Sequence, residues 1–238
     1  MPDVALLLTC EHAVNHVPKE WEALFASVPE VLLTHRAFDQ GAAELAYSLA
    51  SNLSAPMFEA KLTRLLVDHN RSPHNRSLWS EFSRDLPAQE KLRLLERYYR
   101  PFRDKVAEWI RKSLADESKV VHISVHSFTP VHKGKNRAVD IGLLYDPGRS
   151  EERFFADVWK SRLSICRPDL RTRFNVPYRG CSDSHLSSYR AFYNSSDYVG
   201  VELEINQSLV DRKDGWPGLQ KQIADSLIDS IADLTSDE

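Results

Sequence analysis

The sequence has few cysteines and no long apolar run. Cys10, Cys166 and Cys181 are an odd number without CxxC spacing, which argues against a disulfide framework and a cysteine-bound structural zinc. No apolar stretch approaches the roughly 20 residues that a membrane helix needs. The first apolar segment has no basic residues before it, so it predicts a core strand and not a signal peptide. We therefore expect a cytoplasmic protein that has no membrane partner.

An excess of positive charge is also missing. The 31 Lys and Arg residues face 34 Asp and Glu residues, and a formal net charge of −3 makes nucleic acid an unexpected partner. With 42% hydrophobic residues, a chain of 238 residues can build one substantial core. We expect a single domain over residues 1–238. The composition leaves open whether the chain forms a homo-oligomer.

Strand-like and helix-like segments alternate along the chain. This alternation predicts a single-domain α/β fold with a mixed, mostly parallel sheet and helices on both faces. Strands are predicted at 4–10, 62–67, 120–126, 138–145 and 198–205. Helices are predicted at 39–53, 149–163 and 219–234, and residues 87–114 are predicted to form either one long helix or a helix pair that divides at Pro101. The polar stretch 168–188 is predicted to be a long loop, which inside a domain is usually functional.

Two predicted strands lead into histidines. The strand at 4–10 is followed by His12, and the strand at 120–126 ends in His126. Open α/β folds keep their sites at the carboxyl edge of the sheet, so two imidazoles meeting there suggest a metal site, with hydrolytic zinc as the natural candidate. His122 lies deeper in its strand and is expected to be a core histidine. For His12, a helix cap or a hydrogen-bonded loop residue is the alternative.

Charged residues occupy two further strand-like segments. Glu202 and Glu204 fall on one face of the last strand, about 7 Å apart, and need a nearby positive charge. A carboxylate beside such a metal is the usual general base of zinc hydrolases. Arg64 lies within an apolar run that ends near Asn70 and Arg71, and a guanidinium with an adjacent amide can bind a carboxylate. Ordinary charge pairing is the alternative interpretation.

Taken together, these motifs resemble the N-formylglutamate amidohydrolase family over nearly the whole chain. The matching residues are Thr9–Ala13 with Asn15 and Pro18, Asp39 with Gly41 and Ala42, Arg64–Asp68 with Asn70–Ser72, His126–Pro130, Arg137 with Asp140–Asp146, Asn175 with Pro177, Tyr178 and Gly180, and Glu202–Gln207. The resemblance implies the α/β fold of zinc-dependent exopeptidases and aspartoacylases, which is phosphorylase/hydrolase-like. It also implies hydrolysis of the small-molecule substrate N-formylglutamate to formate and glutamate, a reaction of histidine degradation.

The resemblance also implies roles for individual residues. Aspartoacylase-like enzymes carry a similar Asp-x-Asn-Arg motif that holds a substrate carboxylate, and Asp68, Asn70 and Arg71 match it here. The general-base glutamate of those enzymes lies in a strand closely followed by Gln, which favours Glu204 as the base and leaves Glu202 to the substrate.

The remaining roles concern charge and closure. Arg64 or Arg137 is expected to stabilise the oxyanion. The polar loop around Tyr178 is expected to close over the ligand.

The third protein ligand of the metal stays open. Carboxypeptidase-type sites use His-x-x-Glu, whereas Asn15 stands three residues after His12 in this chain. The candidates are Glu11 and Asp39, and we favour Glu11. The predicted zinc ligands are therefore His12, His126 and Glu11.

Three other functions fit the same residues. The enzyme could be a related carboxypeptidase or deacylase acting on another N-acyl amino acid or peptide. The chain could instead be a non-catalytic carboxylate-binding protein on the same fold. A metal-free serine hydrolase using Ser127 and His126 is the third alternative, although no GxSxG motif is present.

Overall fold

A computed structural model of the chain describes residues 4–116, 118–212 and 214–234. The strands are β1 (Val4–Cys10), β2 (Met57–Glu59), β3 (Lys119–Phe128), β4 (Val131–His132), β5 (Lys135–Asn136), β6 (Ile141–Leu144), β7 (Thr172–Phe174) and β8 (Tyr198–Asn206). The α-helices are α1 (Ala42–Leu53), α2 (Ala88–Leu94), α3 (Arg100–Ala115), α4 (Ser150–Cys166), α5 (His185–Arg190), α6 (Gln207–Val210) and α7 (Trp216–Leu234). Short 3₁₀ helices span Lys19–Phe25, Pro29–Leu33 and Arg76–Leu78, and a π-helical turn spans Leu95–Tyr99.

Six strands form one sheet in the order β2-β1-β3-β8-β6-β7. Neighbouring strands are parallel except β6 and β8, which are antiparallel. β4 and β5 form a separate antiparallel hairpin. The central strands β3 and β8 are almost entirely buried, as parallel strands covered on both faces must be. The predicted mixed, mostly parallel α/β sheet is thereby confirmed.

Alternate residues of β3 face different helices. Val121, Ile123 and Val125 belong to the largest apolar cluster, which also contains side chains of α1, α4 and α7. Val120 lies instead in a cluster with Phe102 and other residues of α3. The strand period of two therefore divides the core between the two faces of the sheet. No helix in the described part of the chain is long and apolar enough to cross a membrane.

The predicted strand at 62–67 is wrong. These residues form turns, and their apolar side chains pack with Trp21 and Phe25 in a separate cluster outside the sheet. The backbone N–H of Arg64 donates to the carbonyl oxygen of Ala37, and the hydroxyl of Thr63 donates to the same oxygen. A short apolar run indicates burial without distinguishing a strand from a buried loop.

Two further segments show how the sequence prediction resolves. Residues 88–115 form one continuous helical stretch, the single-helix alternative of the prediction, and Pro101 lies in α3 directly after the π-helical turn. Proline has no N–H to continue the i→i−4 hydrogen bonds, and the π-helical turn lies where this interruption falls. The stretch 168–188 contains β7 and the beginning of α5, so it is not wholly a loop.

Candidate active site

A cavity of about 510 Å³ opens where β1, β3 and β8 end. Nine of the predicted site residues line it, whereas Glu11 and Asp68 do not. These lining residues are His12, Arg64, Asn70, Arg71, His126, Arg137, Tyr178, Glu202 and Glu204. Their segments are far apart in the chain, so the fold brings them together at the edge of the sheet where the sequence places a site.

Two histidines and an aspartate converge at the cavity floor. The Nδ1 atoms of His12 and His126 lie 3.2 Å apart. Asp39 Oδ2 lies 3.2 Å from the first and 2.9 Å from the second. The backbone brings Asp39 there, because its N–H donates to the carbonyl oxygen of His12 over 2.9 Å. All three side chains are buried, so this is a compact group of potential metal ligands.

The three ligand atoms match the requirements of zinc. Two imidazole nitrogens and a carboxylate oxygen are typical zinc donors, and bonds near 2.1 Å in a tetrahedron place the donors about 3.4 Å apart. The separations here are 2.9–3.2 Å. His12, Asp39 and His126 could therefore hold Zn²⁺ and leave a fourth position open.

Asp68 holds the far side of the His12 ring. Its Oδ1 lies 2.7 Å from His12 Nε2, and Arg64 donates to both Asp39 and Asp68 over 3.3 and 3.2 Å. Burial alone opposes ionisation of the two aspartates. The positive charge of Arg64 and the contacts with His12 outweigh burial and hold the pKa of both carboxyl groups below its usual range. The Nδ1 of His12 is thereby directed at the convergence point.

Glu11 and Ser124 hold the far side of the His126 ring. Ser124 Oγ lies 2.9 Å from His126 Nε2 and donates to Glu11 Oε2 over 2.6 Å. Glu11 Oε2 itself lies 3.3 Å from His126 Nε2, and Glu11 Oε1 lies 2.7 Å from His185 Nδ1. Glu11, predicted as a ligand, thus lies behind His126, whereas the alternative candidate Asp39 lies in the convergent group.

Hydrogen bonds set the charges around Glu11. Burial would raise the pKa of Glu11, but hydrogen bonds with His126 and His185 hold that pKa well below its usual range. Burial would likewise lower the pKa of His126, but hydrogen bonds with Asp39 and Glu11 raise that pKa well above its usual value. For His185, burial prevails and lowers the pKa to about 4, so this ring is neutral near pH 7.

Glu204 lies beside His126 on the neighbouring strand. The two residues are paired in the register of β3 and β8, and Glu202 pairs with Ser124 one step deeper. Among the described residues, Glu204 Oε2 has no hydrogen-bond partner although it is buried. Burial raises the pKa of Glu204 to about 8; His126 opposes this effect, while the nearby carboxylates add to it. A carboxyl group with such a pKa can exchange protons near neutral pH.

Cationic residues line the outer part of the cavity. Arg137 packs over the rings of Phe128 and Tyr178 at 5.5 and 5.3 Å, and its Nη2 donates to the Tyr178 hydroxyl over 3.3 Å. Arg71 donates from Nη1 to the backbone carbonyl oxygens of Asn70 and Asp183 over 2.9 and 3.0 Å. Within the described ranges, neither arginine forms an ion pair with a carboxylate. Their charge is available to an anionic ligand.

Asn70 has a different environment from the one its motif predicts. Its Oδ1 accepts a hydrogen bond from the backbone N–H of His185 over 2.7 Å, and its Nδ2 lies 3.3 Å from His126 Nε2. Asn70 therefore links the His126 side of the site to the start of α5, although it also lines the cavity.

The sequence interpretation assigned no role to Ser124 or His185. Ser124 carries a usable signal, because it shares a strand face with His126. His185 lies in a polar stretch without any recognisable pattern. The hydroxyl of Ser127, the nucleophile of the serine-hydrolase alternative, donates to Gln40 O over 2.7 Å and accepts from Gln207 over 3.1 Å. Its hydrogen bonds are thus directed away from His126.

Comparison with known proteins places this arrangement in a family. The sequence profile described as N-formylglutamate amidohydrolase matches residues 4–210. The chain is similar to the structure of gene product Atu2144 from Agrobacterium tumefaciens, with 28% identity, a TM-score of 0.83, and coverage of 97% of this chain and 92% of that one. It shares its fold with N-formylglutamate amidohydrolase from Ralstonia eutropha JMP134, with 16% identity, a TM-score of 0.73, and coverage of 99% and 95%. No curated protein sequence matches. Because the profile spans most of the chain, the chain belongs to the N-formylglutamate amidohydrolase family.

Proposed function

We propose that the protein is a zinc-dependent amidohydrolase that cleaves the N-acyl amide of an acidic amino acid, with N-formylglutamate as the representative substrate. The observation that carries the proposal is the convergence of His12, Asp39 and His126 on one point beside Glu204. Family membership supports the amide-hydrolysing chemistry. We assign the third ligand to Asp39, because Glu11 is separated from the convergence point by the His126 ring.

Zinc, when bound, supplies Lewis acidity toward the amide carbonyl. Glu204 accepts a proton from the attacking water and transfers it to the leaving nitrogen. The water oxygen bonds to the acyl carbon, the C–N bond breaks, and the products are formate and the free amine of glutamate. The unpartnered Oε2 of Glu204 and the position of this residue beside His126 support this assignment.

Each of three arginines that line the cavity is assigned to a different negative group. Arg64 already contacts Asp39 and Asp68, so we assign it the orientation of these carboxylates. Arg137 has no carboxylate partner in the described part of the chain, and we assign it the negative charge that develops on the acyl oxygen. Arg71 and Asn70 bind a substrate carboxylate, with Tyr178 and Glu202 forming the adjoining walls.

Metal content and formate release test the proposal directly. We expect the wild type to bind one zinc per chain, to lose activity with a chelator and to recover it when zinc is added. Glu204→Gln keeps the size of the side chain but removes the base. It should retain zinc and lose roughly 10²–10⁴-fold in kcat.

A matched carboxylate variant provides the control. Glu108→Gln removes an exposed carboxylate on α3 that lies outside the cavity lining, and this variant should retain full activity. Full activity in Glu204→Gln would remove this residue as the base. Unchanged metal content in His12→Ala/His126→Ala would end the zinc assignment. A parallel screen of N-formyl, N-acetyl and peptide amides identifies the acyl group.

A further inference from the structure

A sealed cluster of polar side chains lies directly behind the His126 ring. Glu11, Ser124 and His185 are all fully buried, and Glu11, unlike the other two predicted ligands His12 and His126, does not line the cavity. A buried carboxylate is costly unless hydrogen bonds compensate it. Both oxygens of Glu11 are compensated, one by His185 Nδ1 at 2.7 Å and the other by the Ser124 hydroxyl at 2.6 Å.

The two oxygens near His126 Nε2 set the donor and acceptor roles in the cluster, whereas the Asn70 amide nitrogen, 3.3 Å from Nε2, can only donate and makes no hydrogen bond to an Nε2–H. The Ser124 hydroxyl has one proton, and donating it to Glu11 leaves the oxygen to accept from Nε2–H of His126 at 2.9 Å. Glu11 Oε2 accepts from the same Nε2–H at 3.3 Å. With one proton fixed on Nε2, a metal would displace only the proton on Nδ1, and Nδ1 is the atom facing His12 and Asp39.

We propose that Glu11 is a positioning residue that, together with Ser124, fixes the tautomer and ring orientation of His126 for metal binding. This inference rests on the proposed function, because it requires a metal at the convergence point. His185 donates from Nδ1–H to Glu11, so its Nε2 accepts a hydrogen bond from the Tyr189 hydroxyl at 2.8 Å. A carboxylate behind a metal-binding imidazole also increases the basicity of that imidazole.

The experiment compares the zinc affinities of folded variants by competition with a chromophoric chelator. Glu11→Gln keeps the shape and removes the charge, and we expect zinc binding to weaken roughly 10–100-fold. Ser124→Ala removes only the bridging hydroxyl, with an expected loss of about fivefold, the equivalent of one ordinary hydrogen bond. In both variants, Co²⁺ at saturation should give the visible spectrum of the wild type, since the ligand set is unchanged.

Glu152→Gln is the matched control. Glu152 is also fully buried and is paired with Arg149 and Arg190, but it lies outside the cavity lining. We expect this variant to lose stability without any change in zinc affinity. That result would show that the weaker zinc binding of Glu11→Gln comes from the lost hydrogen bond to His126 and not from the loss of any buried carboxylate.

Three results of these measurements would contradict the positioning role of Glu11. Wild-type affinity in both Glu11→Gln and Ser124→Ala would overturn the positioning role and leave the proposed zinc site intact. A changed Co²⁺ spectrum in Glu11→Gln would also overturn it, because Glu11 would then be a ligand. A wild type that binds no zinc would overturn the proposed function together with this inference.

Discussion

At the residue level, two identical side chains are supported in different ways. Both His12 and His126 direct Nδ1 at the convergence point, and each has a carboxylate near Nε2. The carboxylate behind His12 is Asp68, which shares Arg64 with Asp39. The carboxylate behind His126 is Glu11, which is sealed from solvent. Support on Nε2 leaves Nδ1 as the atom of each ring that can bind a metal.

Replacing Asp39 tests the third ligand. Asp39→Asn keeps the side-chain shape but removes the negative charge, so we expect zinc affinity to fall more than the roughly 10–100-fold typical of a supporting residue. Equilibrium dialysis against buffered zinc measures the loss. Asp183→Asn is the control, because Asp183 also lines the cavity but accepts hydrogen bonds from Ser72 and Asn75. Equal zinc binding in both variants would contradict the assignment of Asp39.

At the level of elements, the register of β3, β8 and β6 positions the proposed base. Glu204 is paired with His126 on one side and with Gly142 on the other. Gly142 lets the chain at Val176 approach closely, since a Cβ at position 142 would collide with the Val176 carbonyl oxygen and lie 3.2 Å from the Cβ of Glu204. The segment that carries Tyr178 therefore packs against β6 only because residue 142 has no side chain.

Gly142→Ala tests this packing. The added methyl group must displace either the backbone near Val176 or the Glu204 side chain, so we expect a loss of about 1–3 kcal/mol in unfolding free energy and a lower kcat. Urea unfolding and formate release measure the two effects. Gly218→Ala in α7 is the control, because a Cβ there meets no atom within 4 Å. An unchanged kcat in a folded Gly142→Ala variant would contradict the proposed link to Glu204.

At the scale of the whole molecule, buried neutral histidines connect stability to pH. His122 is fully buried, with Nε2 2.9 Å from Thr9 Oγ1 and Nδ1 2.8 Å from the Tyr198 hydroxyl. Burial lowers the pKa of His122 to about 3, and burial lowers the pKa of His69 to about 4. An unfolded histidine has a pKa of about 6.5, so below that pH the unfolded chain binds protons that the folded chain refuses.

We therefore expect the contribution of these buried histidines to stability to be fully present above pH 6.5 and to be lost as the pH drops from 6.5 toward about 4. Each buried histidine contributes a slope of up to about 1.4 kcal/mol per pH unit. Urea unfolding at pH 7, 6 and 5 measures this dependence. His122→Gln removes one of the groups that take up a proton on unfolding, so it should reduce the slope by up to about 1.4 kcal/mol per pH unit. His74→Gln, at an exposed position, should leave the slope unchanged. An identical slope in the wild type and His122→Gln would contradict the buried-histidine explanation.

Much of the fold and part of the site follow from local sequence patterns. Alternating strand and helix signals predict the mostly parallel sheet, and the abrupt polar ends of apolar strands place His12 and His126 at its edge. The period of two along β8 places Glu202 and Glu204 on one face. These predictions succeed because the direction of a side chain in a strand depends on the strand's own backbone.

The tertiary structure decides which side chains from distant segments meet. The sequence by itself determines that carboxylates such as Glu11 and Asp39 lie near strand or helix ends, but it does not rank their distances to the histidines. A backbone hydrogen bond to His12 brings Asp39 to the cavity floor, while His185, from a stretch with no pattern, binds Glu11 behind His126. Sequence periodicity reports which way a residue faces, whereas contacts between segments depend on how buried loops pack together.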